Sequence, residues 1–263
     1  MPRYSKHMSL SWYYVYSQRY EALHHMLKDN IKDTRFRTVP LFVDQSEFNK
    51  TTYKENTYHF LSGCFIKEEV ILHILKKLPI NSYFIFTDVD VAVLNNDGLF
   101  DFFQTYIEKE YDIVYTWEGN NSDSKIKNYN IGISLIRVNE KTIKFFEAFM
   151  EKSKGDTNIA DQELVCSLLP DFQGKFGVFD KNVVCLSNYF NETEPKSGIK
   201  LIQILCSNSK DYRRNMYEKY HGAKVLGFPV EKYITMALEN GRTLDEIGVP
   251  DISGRPDISG IGS

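Results

Sequence analysis

No stretch of this chain approaches the roughly 18 consecutive apolar residues of a membrane-crossing helix, so the sequence offers no transmembrane span. The apolar part of the N-terminal segment, around Trp12 to Tyr16, is too short for the core of a secretion signal, and a cytoplasmic location is expected. A basic excess is also missing. Lysine and arginine number 32 against 35 acidic residues, a net charge of −3, which excludes dedicated nucleic-acid binding. Cysteine is scarce: Cys64, Cys166, Cys185 and Cys206 are widely spaced, with neither a C-x-x-C pair nor a zinc pattern. Buried thiols are expected rather than bridges. Composition holds no extreme, with 42% hydrophobic and 25% charged residues, which excludes disordered, collagenous and coiled-coil chains. What remains is a globular protein of 263 residues, long enough to bury a core without disulfide or structural metal. Its 17 Tyr and 18 Phe are core filler first, and in a cleft they stack on bases and sugar faces.

The pattern along the chain alternates strand and helix. Strand formers fill 11–16, and helical spacing follows from Tyr20 to Asn30. Thr38 to Val43 reads as a strand and Phe65 to Leu78 as a helix stopped by Pro79. Tyr83 to Thr87 is a continuous apolar strand of the kind buried on both faces. Further helices are predicted over 100–110, 141–152 and 161–169, and strands over 112–117, 131–138, 176–179 and 200–205. Such alternation predicts a mainly parallel sheet with helices on both faces and ligands at the carboxyl ends of its strands. Residues 1–240 are expected to form a single domain. Residues 241–263, rich in Gly and Pro, are expected to form a mobile tail.

The sharpest local feature is Asp88-Val89-Asp90, two carboxylates just past the most apolar strand. Like charges this close repel, so a proton, cation or ligand must neutralise one of them. Hard oxygen ligands beside a phosphate-bearing partner suit magnesium or manganese. The haloacid-dehalogenase-like phosphohydrolases use a similar pair, but their threonine two residues after the second Asp is here Ala92. Their later Gly-Asp-x-x-x-Asp motif is also out of register in Gly155-Asp156 and Asp161.

Asp88-Val89-Asp90, Asn130-Ile131-Gly132 and Asp161-Gln162 together resemble, in order and spacing, the DxD, Asn-x-Gly and Asp-Gln motifs of the nucleotide-diphospho-sugar transferases. These are glycosyltransferases of the GT-A fold. The resemblance spans Trp12 to about Phe228. It implies an α/β, Rossmann-like central sheet with a small antiparallel acceptor-side portion. It also implies a metal-dependent glycosyltransferase that moves a sugar from a nucleotide-diphosphate donor, such as a UDP-sugar, to a hydroxyl on a glycan, protein or small molecule. Asp88 and Asp90 would hold Mn²⁺ or Mg²⁺, with Cys206, Asn208 or His221 as candidates for a further ligand. The family's usual His-x-Asn is here Cys206-x-Asn208, and Cys is a poor ligand for magnesium. Tyr16, Ser17 and Lys67 would join Asp88 and Asp90 on the donor side, with Asn130 and Gly132 on the acceptor side. Asp161 and Gln162 would work near the anomeric carbon in a retaining reaction. Each residue has a plainer reading: Lys67 as a solvated helix lysine, Asp161 as a helix N-cap, His221 as a surface histidine. A nucleotide-sugar or glycan-binding module with little turnover is the alternative to an enzyme.

Overall fold

The computed structural model describes residues 9–44, 59–120, 127–154, 160–187, 198–206 and 212–249. Its main sheet is built from β1 (Leu10–Tyr16), β2 (Phe36–Phe42), β3 (Tyr83–Thr87), β5 (Ile113–Asn120), β6 (Lys127–Arg137) and β7 (Phe176–Val178). The spatial order is β2-β1-β3-β6-β5-β7, and every strand runs the same way except β6. A second sheet of three strands joins β4 (Val91–Val93), β9 (Leu201–Gln203) and β8 (Val184–Leu186) in that order. The mainly parallel sheet matches the architecture expected from the sequence; the small sheet is mixed, with β4 antiparallel and β8 parallel to β9.

Period-two alternation sorts the strand side chains onto two faces. Leu10, Trp12 and Tyr14 of β1 are buried on one face, where Ile85 and Leu135 also point. The helices packed there include α1 (Glu21–Asn30), α3 (Leu99–Glu108), α6 (Tyr212–Val225) and α7 (Val230–Glu239). Trp12 anchors this layer. Its indole meets Phe36 and Phe103 edge-on at 5.3 and 6.0 Å, and its N–H donates to the Thr87 hydroxyl at 2.9 Å. The opposite face carries Phe84, Phe86, Ile113 and Ile136, covered by α2 (His59–Lys77), α4 (Glu140–Ser153) and α5 (Asp161–Leu168). Asn139 starts α4 with a capping box, accepting from the Lys141 and Thr142 amides while the Thr142 hydroxyl accepts from the Asn139 amide.

Past residue 170 the elements carry weaker local signals: β8 is only three residues long and α6 is largely polar. Of the segment expected as a tail, residues 241–249 run against the domain. Ile247 is buried, its carbonyl accepts from the Tyr220 hydroxyl at 2.9 Å, and Arg242 pairs with Glu21. Apolar Ile247 and Val249 give this stretch something to bury despite its glycines. Residues 250–263 lie outside the described residues. Among the described residues no helix is long and apolar enough to cross a membrane. Cys166 and Cys185 are buried free thiols, and Cys206 is a half-buried one.

Candidate active site

The strand register brings the motifs together. β1 and β3 are parallel, with Tyr14 opposite Thr87, so Tyr16-Ser17 and Asp88-Val89-Asp90 leave the sheet at the same edge. At Asp88 the chain turns out of the main sheet and enters the small one as β4. The carboxylate pair therefore stands where one sheet gives way to the other, the kind of crevice that α/β proteins use for ligands. Two backbone bonds fix the turn: Asp88 donates its amide to the Gly132 carbonyl at 2.7 Å, and Ile204 donates to the Asp90 carbonyl at 2.9 Å.

Each aspartate has one oxygen beside a lysine. Asp88 Oδ1 lies 3.2 Å from Lys67 Nζ, and Asp90 Oδ2 pairs with Lys219. Lys67 also meets Asp161 Oδ2 at 3.2 Å, so one ammonium bridges the DxD motif to the head of α5. Lys67 is buried, which replaces the solvated-lysine reading. It sits in the part of α2 that faces α5, where an unpaired charge would be costly. Burial alone would weaken the Lys219 ammonium, but the adjoining Asp90 carboxylate outweighs it and holds the lysine above its ordinary range. Next to Lys67, Glu68 is fully buried with Oε2 lacking a hydrogen-bond partner. Burial pushes its carboxyl well above the usual carboxylate range.

Gln203 closes the pair from the small sheet. Its register opposite Val91 aims the side chain at the turn, and Nε2 donates to Asp88 Oδ2 at 2.8 Å and reaches Asp90 Oδ1 at 3.5 Å. Gly132 makes room for it: a Cβ there would stand 2.1 to 2.3 Å from the Gln203 carboxamide. The space that this glycine leaves is thus filled by a protein side chain. Asn130 serves the same stretch of backbone, its Oδ1 accepting the Gly132 amide at 2.8 Å.

Asp161 is the first residue of α5, and the N-cap position belongs to Ala160, so the capping expectation is corrected by one residue. Asp161 Oδ1 accepts the Gln162 amide at 2.8 Å, while Oδ2 faces Lys67. The Gln162 side chain points the other way, donating to Glu118 at the end of β5 and to Asn128 Oδ1 at 3.2 Å. Burial raises the Glu118 carboxyl, and the Gln162 bond offsets this in part. Tyr16 stacks on His24 with centroids 3.9 Å apart, meets Phe42 edge-on, and Ser17 beside it is buried.

Neither of the described further-ligand candidates lies on the strands that converge on the carboxylate pair. Among the described residues no group of three or more His, Cys, Asp and Glu side chains gathers as a metal site. His221 is exposed on α6 with its ring parallel to Tyr217 at 6.1 Å. Cys206 comes three residues after Gln203, where the chain has already left β9. Asn208 lies outside the described residues. The residues that do converge still fit a hard divalent cation. Two carboxylate oxygens share one neighbouring atom, and the Gln203 carboxamide beside them keeps a buried Oε1 with no partner. Sequence reasoning missed Gln203, Lys219, Glu118 and Glu68. Gln203 left a signal, as the one polar residue in the run Leu201-Ile202-Gln203-Ile204-Leu205. Lys219 left none, because α6 is polar throughout most of its length.

A mainly parallel sheet with covering helices and a small second sheet, with a carboxylate pair at their junction, is the architecture of a GT-A fold. The nucleotide-diphospho-sugar transferase family model matches residues 21–212, and the chain belongs to that family. It is a transferase of the glycosyltransferase type. Among solved structures, it is similar to a glycosyltransferase involved in glycosylation of the major capsid of PBCV-1, at 13% identity and a TM-score of 0.55, covering 82% of this chain and 99% of the other. It is also similar to an active-site variant of LgtC, at 13% identity and a TM-score of 0.56, covering 88% of this chain and 96% of that one. The galactosyltransferase LgtC in complex with donor and acceptor sugar analogs matches at 11% identity, with a TM-score of 0.54 and the same coverage. At these identities the likeness is one of fold. No curated protein matches the chain in sequence.

Proposed function

We propose that the protein transfers a sugar from a UDP-sugar to a hydroxyl acceptor, with a divalent cation held by Asp88 and Asp90. The observation that carries this reading is the orientation of the pair: each carboxylate has one oxygen beside a lysine, and the remaining two face a common neighbour. Bound there, Mn²⁺ or Mg²⁺ would neutralise charge that develops on the departing diphosphate. Tyr16 and Ser17, at the same sheet edge, would receive the base and ribose. Lys67 would hold Asp88 and Asp161 at fixed positions beside the diphosphate and the sugar. Asp161, with Gln162 and Glu118 next to it, would stabilise positive charge near the anomeric carbon, and we propose that the anomeric configuration is retained. Asn130 and Gly132 would shape the strand that borders the acceptor.

Calorimetry with UDP tests the cation and nucleotide together. UDP should bind far more tightly with Mn²⁺ than with EDTA, and Asp90→Asn should remove most of the difference. Because that change also strips Lys219 of its partner, a melting curve accompanies it. Equal affinity with and without metal would sink the assignment. Transfer from UDP-sugars to simple acceptors, with the product anomer read by NMR, separates an enzyme from a binding module and retention from inversion.

A further inference from the structure

The four oxygens of the carboxylate pair are not equivalent. Lys67 takes Asp88 Oδ1 and Lys219 takes Asp90 Oδ2. The other two oxygens face Gln203 Nε2, at 2.8 and 3.5 Å. Gln203 is 4% exposed, yet its Oε1 has no hydrogen-bond partner. Buried acceptors without partners are uncommon and call for an explanation. The geometry points to Gln203 as the third protein ligand of the cation, presenting Oε1 after a half-turn of its carboxamide about the Cγ–Cδ bond. This inference rests on the proposed cation at Asp88 and Asp90.

The physical reasons are these. Without a cation, two facing carboxylates need a donor between them, and Nε2 is that donor. A cation that takes its place repels the N–H dipole and attracts the carbonyl dipole of the same group. Turning the carboxamide breaks no bond at Oε1, since none exists there. The resulting donors, Asp88 Oδ2, Asp90 Oδ1 and Gln203 Oε1, are all oxygen, which suits magnesium and manganese. β9 supplies the aim by pairing Gln203 with Val91, and Gly132 supplies the space. A neutral third ligand and two lysine-bound carboxylates also leave the site with little net negative charge. The nucleotide diphosphate must then bring much of the charge that retains the cation, so metal and nucleotide bind together.

The test is a Mn²⁺ titration followed by electron paramagnetic resonance, at saturating UDP, with a parallel Mg²⁺ competition. Gln203→Leu should weaken Mn²⁺ at least about tenfold, the scale of losses around metal ligands. Gln203→His should recover affinity and shift preference toward Mn²⁺ over Mg²⁺, since imidazole is the softer ligand. If Gln203→Leu does not fold, Gln203→Glu carries the test. In EDTA it should melt below wild type, because three carboxylates meet, and Mn²⁺ with UDP should raise its midpoint more than that of wild type. Wild-type Mn²⁺ affinity in Gln203→Leu, no extra Mn²⁺ effect in Gln203→Glu, or a loss found in Cys206→Ser instead, overturns the assignment of Gln203. In those cases wild type still needs Mn²⁺ for UDP, and only the third ligand is wrong. If wild-type UDP affinity is indifferent to Mn²⁺, both this inference and the reading beneath it fall.

Discussion

Replacing Gly132 by alanine adds one methyl group where the carboxamide of Gln203 already stands. The new Cβ would lie 2.1 Å from Oε1, 2.2 Å from Nε2 and 2.3 Å from Cδ, all of them atoms of that one side chain. Gln203 must therefore swing away and give up its bond to Asp88. A hydrogen bond to a charged group is worth about 1.5–3 kcal/mol, and overpacking a filled site typically costs about 1–3 kcal/mol. Alanine also restricts the unfolded chain and returns about 0.5 kcal/mol. Gly132→Ala should then cost roughly 2–5 kcal/mol in urea unfolding. Gln203→Ala should cost about 2 kcal/mol by losing the same bond. The double variant should cost about as much as Gln203→Ala alone, because the methyl no longer meets anything and the bond can be lost only once. The coupling energy is then about 2 kcal/mol or more, well outside the roughly 0.5 kcal/mol expected of independent sites. Equilibrium unfolding of the four proteins measures it directly. Additive costs would mean that Gly132 is needed for some reason other than room for Gln203.

Lys67→Met should destabilise the protein by about 3 kcal/mol, because it leaves buried Asp161 and half-buried Asp88 without their shared counter-ion; a cost under 1 kcal/mol in urea unfolding would return Lys67 to the role of a surface lysine. Asp161→Asn keeps an acceptor for the Gln162 amide but loses the charge opposite Lys67. Transfer should fall on the order of a hundredfold, about 2.7 kcal/mol of barrier, with a measurable drop in melting temperature. Wild-type turnover in that variant would reduce the residue to a helix start. His24 is buried against Tyr14 and Tyr16, and burial, with His25 and Lys28 nearby, lowers its pKa to about 4. The unfolded chain takes up that proton near pH 6.5 and the folded one only near 4, so stability falls as pH drops through this window, by roughly 3 kcal/mol at about 1.4 kcal/mol per unit. His24→Gln should lack this component when unfolding curves at pH 7.5 and 4.5 are compared, and an unchanged pH dependence would show that the proton goes elsewhere.

Much of the fold was legible in the chain because local forces set it. β3 falls at Tyr83–Thr87, where the apolar run predicted it, and Pro79 lies just beyond the end of α2. α4 and α5 start within a residue of where their spacing and polar starts suggested. The carboxylate pair was legible for the same reason, since an apolar strand running into two aspartates is a local pattern. Of the partners of that pair, the family resemblance pointed to Lys67, 21 residues away, while Gln203 and Lys219 were not legible. They come from 115 and 129 residues away along the chain, at contacts set by sheet register and helix packing. Gln203 reaches the pair because β9 runs antiparallel to β4 in the register that sets it opposite Val91. Gly132 tells the same story. The sequence shows a residue with no side chain, but only the packed structure shows which neighbour occupies the space. Residue type and spacing determined which groups could bear charge and bind oxygen-loving cations. Tertiary structure decided which of them meet, because burial and register, not sequence distance, fix the separation between charges and the cost of leaving one unpaired.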